Sequence, residues 1–161
     1  MSSVPVLVAY VLFAAVSLVL SVIDARTRRI PNRIVLPAYP AALALLAVAC
    51  VLGWPWAAFL RAALGGLALF AFYLLLRMAQ PRGMGGGDVK LAGLVGLHLA
   101  FLGWEQLVVG AFAGFLLGGL YGLLLLATRR VRLGASFPFG PWMLAGTWAV
   151  ILFTAASTTL A

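Results

Sequence analysis

Ser21-Val22-Ile23-Asp24-Ala25-Arg26-Thr27-Arg28-Arg29-Ile30-Pro31-Asn32 closes a long apolar run with an aspartate, four arginines within ten residues counting Arg33, and a proline. The run before it, Val4 to Ile23, is long enough to cross a bilayer, which takes roughly 20 apolar residues. It has no Lys or Arg ahead of it and a cluster of Arg after it. That is the reverse of a cleaved secretory signal, so the stretch reads as an uncleaved first span with its N-terminus outside. Pro31 stops the first helix, and Asn32 is a candidate cap for the next.

The rest of the chain repeats this pattern. Its 161 residues are 65% hydrophobic and 9% charged, with a mean hydropathy of +1.16. A small soluble globule needs far more polar surface, so the composition is that of a multi-spanning membrane protein in one domain, residues 1–161. Further spans are expected at about Ile34 to Leu52, Ala57 to Leu76 and Val89 to Trp104, then one after Gln106 that runs to about Thr128, and a last at Phe139 to Thr158. Pro37 and Pro40 allow a kink or a re-entrant start in the second. Gly53-Trp54-Pro55-Trp56 is an outer turn whose tryptophans suit the headgroup region, and Glu105 and Gln106 mark another. The fourth span is short, which favours a helix enclosed by the others or one that starts inside the membrane. The fifth carries Gly110, Gly114, Gly118 and Gly122 at four-residue spacing, a stripe for close helix packing.

The net charge of +8 would suit a nucleic-acid binder if the chain were soluble, but ten of its eleven Lys and Arg fall in or beside three loops on one side. The positive-inside rule then gives an all-α polytopic helical bundle of about six transmembrane helices, basic loops in the cytoplasm and both termini outside. Nucleic acid is not an expected partner. Arg61 alone lies nearer the other face, either snorkelling to the interface or partnering a buried acid. Cys50, the single cysteine, reads as a small buried hydrophobe.

Only three acids occur, Asp24, Asp88 and Glu105. Asp88 lies in Gly83-Met84-Gly85-Gly86-Gly87-Asp88-Val89-Lys90-Leu91, where a second basic loop meets the fourth span. Singly, Asp24 can pair with Arg26 or Arg28, and Asp88 can cap the fourth helix. Together they suggest more. Two carboxylates close together in a partly dry site share one proton. Such a pair lets one take a proton from water while the other donates one to a peptide carbonyl oxygen, hydrolysing the peptide without metal or covalent intermediate. Gly85, Gly86 and Gly87 permit positive φ and the approach of another backbone. No P-loop lysine follows them. His98, the single histidine, is ten residues from Asp88, about 15 Å along a helix, so it reads as structural. Metal ligands and a Ser-His-Asp set are not supplied.

Asp24-Ala25-Arg26-Thr27-Arg28-Arg29-Ile30-Pro31-Asn32 resembles the first aspartate motif of type IV prepilin leader peptidases. Gly85-Gly86-Gly87-Asp88-Val89-Lys90-Leu91 resembles their GxGD motif, and Phe137-Pro138-Phe139-Gly140-Pro141 is similar to the segment before their last helix. The resemblance implies an aspartic endopeptidase of the inner membrane that removes the short basic leader of prepilins or pseudopilins at the cytoplasmic face. Asp24 and Asp88 would be catalytic, with Gly85, Gly87 and Lys90 shaping the site and no cofactor. Larger members carry a cysteine-bearing N-terminal extension and also N-methylate the product. Here the first span begins by residue 4, so the chain resembles a peptidase-only form without a visible S-adenosylmethionine site. A small proton-coupled transporter, or a scaffold subunit of a pilus or secretion system, is the competing reading, although relays place acids deeper and often in repeated halves. The basic loops suit anionic lipid but repel a basic leader.

Overall fold

A computed structural model describes residues 4–80, 84–129 and 138–160, with side chains to residue 157. Arg82, Gly83, Arg130, Arg132 and Phe137, which belong to the basic loops and motifs above, lie outside the described residues. The described chain is all helical: α1 (Val4–Thr27), α2 (Asn32–Val51), α3 (Trp56–Ala79), α4 (Gly86–Leu102), α5 (Trp104–Ala127) and α6 (Gly140–Leu160). Five of these are long and apolar enough to cross a membrane, α4 being the exception. Their outward faces carry Leu7, Leu18, Leu60, Leu67, Val108 and Phe112, all exposed. Water would penalise such a surface, and lipid accepts it.

The bundle is built around the short helix. Every residue of α4 from Leu91 to Phe101 is buried, enclosed by α2, α3, α5 and α6. Its small residues permit this. Gly96 lies against the α3 backbone so closely that a Cβ there would sit 2.6 Å from the Gly65 carbonyl oxygen, and a Cβ on Gly66 would come within 3.0 Å of the Gly93 carbonyl. Close backbone approach is the main source of helix association in lipid. The α5 stripe works the same way: Gly110 receives Leu99, Gly114 the Met143 backbone and Gly118 the Phe139 ring.

The two ends of α4 are held differently. At its C-terminus Arg61 of α3 donates from Nε to the Ala100 carbonyl (2.6 Å) and from a terminal nitrogen to those of Phe101 (2.7 Å) and Leu102 (3.3 Å). Neither snorkelling nor an acid partner describes Arg61; it satisfies the carbonyls that a helix end leaves unpaired, where the helix dipole favours a cation. Only Gly103, in extended backbone at φ 171°, separates α4 from α5. Glu105 is therefore in the first turn of α5 rather than in a turn between helices.

Other boundaries shift modestly. α1 continues to Thr27, so Asp24 belongs to its last turns. α2 runs unbroken through Pro37 and Pro40, as one helix. Pro31, not Asn32, occupies the cap position of α2, and the Asn32 amide is engaged elsewhere. Trp54 turns inward, its ring 5.4 Å from that of Phe101, while Trp56 stays exposed. His98 is buried within α4: its Nδ1 lies 2.9 Å from the Leu94 carbonyl, and its ring stacks on Phe13 at 4.0 Å.

Candidate active site

The up-and-down order of the helices brings the ends of α1, α3 and α5 and the starts of α2, α4 and α6 to one end of the bundle, and there the two aspartates meet. Asp24 is nearly inaccessible, at 4% exposure, although it is a carboxylate. Its Oδ2 accepts a hydrogen bond of 3.1 Å from the Gly140 N–H. That N–H opens α6, so it is one of the donors a helix start leaves unpaired, and Asp24 caps it across the bundle. A juxtamembrane pairing with Arg26 or Arg28 is not what holds this carboxylate. Asp88 stands in the first turn of α4, just ahead of the apolar run that begins at Val89, and its Oδ2 accepts from the Gly85 N–H at 3.2 Å. The helix-capping role foreseen for Asp88 is real, and it fixes the carboxylate that caps.

Both carboxylates line one cavity of about 280 Å³, together with Arg28, Arg29, Ile30 and the Gly85–Gly87 run. Burial, and after it the negative charge of Asp24, push the Asp88 carboxyl up to about 6. Mutual electrostatic influence of this kind is what two acids in one site exert. A larger cavity, about 470 Å³, lies between α5 and α6 at the other end beside Glu105, and its lining is mostly apolar.

Each wall of the acid cavity has an identifiable support. Ile30 packs on Gly87 so tightly that a Cβ at 87 would lie 2.7 Å from the Ile30 Cβ. Lys90 donates from Nζ to the Asn32 amide oxygen at 2.8 Å, and the Tyr39 hydroxyl of α2 donates to the Lys90 carbonyl. These contacts tie the start of α2 to the start of α4, so the connection after Asp24 is docked beside Asp88. Arg28 continues the wall in left-handed backbone at φ 53°, a conformation non-glycine residues seldom adopt. It follows the last turn of α1 as an αL cap, where glycine is usual, its N–H donating to the Asp24 carbonyl at 2.8 Å.

The glycines differ from expectation in one respect. Gly85 has φ −71°, and among the described glycines the one held at a left-handed φ is Gly53, in the turn after α2. The run is needed for space instead: the Arg77 guanidinium lies on Gly86, Ile30 on Gly87, and a Cβ at 85 would crowd Asp88 Oδ2 at 3.1 Å. Residue-by-residue reading singled out Asp24, Asp88 and the glycines, but not Gly140, Ile30 or Tyr39. For Gly140 the one signal was its place in a motif noted by resemblance. A donor that acts through its backbone leaves no side-chain trace.

The fold and this cavity define a polytopic helical membrane protein with two acids gathered at one end of the bundle. The model of the type IV leader peptidase family matches residues 11–123, and the chain belongs to that family. It is 34% identical over 137 residues to a Pseudomonas putida protein named prepilin leader peptidase/N-methyltransferase, covering 84% of this chain and 46% of that one. Proteins of the same name from Bacillus subtilis and Burkholderia pseudomallei are 31% and 35% identical, over 89% and 91% of this chain and 54% and 46% of theirs. The chain thus spans about half the length of these curated relatives. No solved structure matches it.

Proposed function

We propose that the chain is an aspartic endopeptidase that removes the leader of prepilin-like precursors at the cytoplasmic face of the plasma membrane, with Asp24 and Asp88 as its catalytic pair. The observation that carries this reading is the convergence of the protein's two aspartates, 64 positions apart in sequence, on one cavity wall. The relatives' names supply the substrate class. The density of Arg at the cavity end supports its cytoplasmic placement, with both termini outside.

In this mechanism the pair holds one proton. The upward displacement of Asp88 favours it as the protonated partner, with Asp24 ionised and steadied by the Gly140 N–H. A water between them loses a proton to the ionised carboxylate as its oxygen attacks the scissile carbonyl carbon. The protonated carboxyl gives its proton to the carbonyl oxygen. In the second step the tetrahedral carbon expels the amine, which takes the proton held by Asp24, while a hydroxyl of the intermediate returns its proton to Asp88 and so restores the singly protonated pair. Gly85–Gly87, held by Ile30 and Arg77, leave room beside Asp88 for an extended substrate strand. The Lys90–Asn32 contact keeps the two arms in register.

The test is cleavage of a co-expressed prepilin in membranes by the native chain, Asp24→Asn and Asp88→Asn, each checked for insertion. Both substitutions keep shape and remove the ionisable group. Each should lower the rate about 10²- to 10⁴-fold, the usual range for general acid–base groups. Native-like cleavage by either variant would sink the two-aspartate mechanism.

A further inference from the structure

Tyr73 is fully buried in α3, and its hydroxyl has no hydrogen-bond partner among the described residues. Buried tyrosine hydroxyls normally find one, and those that do not call for an explanation such as a role in catalysis. The position of this one is informative. α3 and α4 run antiparallel with Gly66 against Gly93, and Phe70 also packs on Gly93. One turn along α3 from Phe70 is Tyr73; one turn back along α4 from Gly93 is the Val89–Lys90 level, directly after Asp88. The ring packs 5.2 Å from that of Phe115 and 6.2 Å from that of Phe139. Phe139 immediately precedes Gly140, whose N–H holds Asp24. Tyr73 and Asp88 are near enough to interact electrostatically. The ring thus stands on α3 level with the start of α4 and beside the phenylalanine that precedes Gly140.

We propose that Tyr73 is a positioning residue for Asp88: its hydroxyl donates a hydrogen bond to the Asp88 carboxylate once that group has given up its proton, holding it in line for the proton's return. The role rests on the peptidase reading above. It accounts for the missing partner, since a protonated carboxyl engaged with substrate or water has less need of a donor than the carboxylate left behind. It also accounts for a tyrosine here in place of phenylalanine, as the aromatic contacts to Phe115 and Phe139 require only the ring.

Tyr73→Phe separates the two roles, because it keeps the ring and deletes one oxygen. If Tyr73 only fills space, the variant should match the native kcat and KM and melt at the same temperature or higher, a buried unsatisfied group having been removed. If it positions Asp88, kcat should fall roughly 10- to 100-fold, the scale of a catalytic group misplaced by up to an ångström. KM and melting temperature should not fall with it. The assay is prepilin cleavage by purified protein in lipid nanodiscs over a substrate range, with Asp24→Asn and Asp88→Asn run alongside. Native kcat in Tyr73→Phe, with both Asn variants inactive, overturns the Tyr73 role and leaves the peptidase reading standing. An effect confined to KM overturns it as well. Cleavage by the Asn variants, or none by the native chain, overturns the peptidase reading and this role with it.

Discussion

Gly140→Ala puts the least possible bulk next to Asp24. A Cβ at this position would lie 2.8 Å from Asp24 Oδ2, 3.4 Å from its Cγ and 3.4 Å from Ile30 Cδ1. Restoring ordinary van der Waals separation moves the carboxylate by roughly half an ångström. A displacement of 1 Å at a reacting group costs about 10²-fold, so half of that corresponds to roughly tenfold in kcat, or about 1.4 kcal/mol of transition-state stabilisation. The fold has reason to survive. Gly140 is not at positive φ, so alanine can adopt its backbone conformation without strain. The expected variant therefore inserts normally, melts near the native temperature and cleaves prepilin about ten times more slowly at saturating substrate. Progress curves read by gel shift, normalised to folded protein, measure this. Native kcat in a well-folded Gly140→Ala protein would refute the claim that α6 sets the position of Asp24.

Two other expectations concern the same cavity. Gly87→Ala should slow cleavage by pushing Ile30 away from α4, and adding Ile30→Ala should not restore it, because alanine keeps the Cβ that lies in the way; recovery in that double variant would show that the crowding arises elsewhere. If the proposed mechanism holds, then with Asp88 pushed up to about 6 the pair loses its shared proton above that pH and the rate should rise as pH is lowered from 8 toward 6; a rate flat across that interval would argue against an acid of this kind.

Much of this was legible because lipid makes sequence simple. Acids are so costly at membrane boundaries that Asp24 and Asp88 stood out against an apolar background, and the shortness of the Val89 to Trp104 run anticipated an enclosed helix. What stayed hidden depends on the third dimension or on the backbone. Arg61 near an outer interface looks like any snorkelling arginine until the end of α4 is seen beside it. Gly140 contributes an N–H that every non-proline residue possesses. Tyr73 sits among Leu and Phe and reads as core. Asn32 was a natural cap by residue type, but Lys90 draws its amide to another helix.

The enclosure of α4 bears on how such a chain is mapped. Hydropathy and length recognise five crossings, an odd number, which would put the two chain ends on opposite sides and carry the start of α6 to the far leaflet. Gly140 would then be separated from Asp24 by a hydrocarbon layer about 30 Å thick, whereas the two are hydrogen-bonded at 3.1 Å. Parity here is decided by the helix that lipid never touches, so reporter fusions placed after α3, α4 and α5 would be more telling than any count of greasy segments.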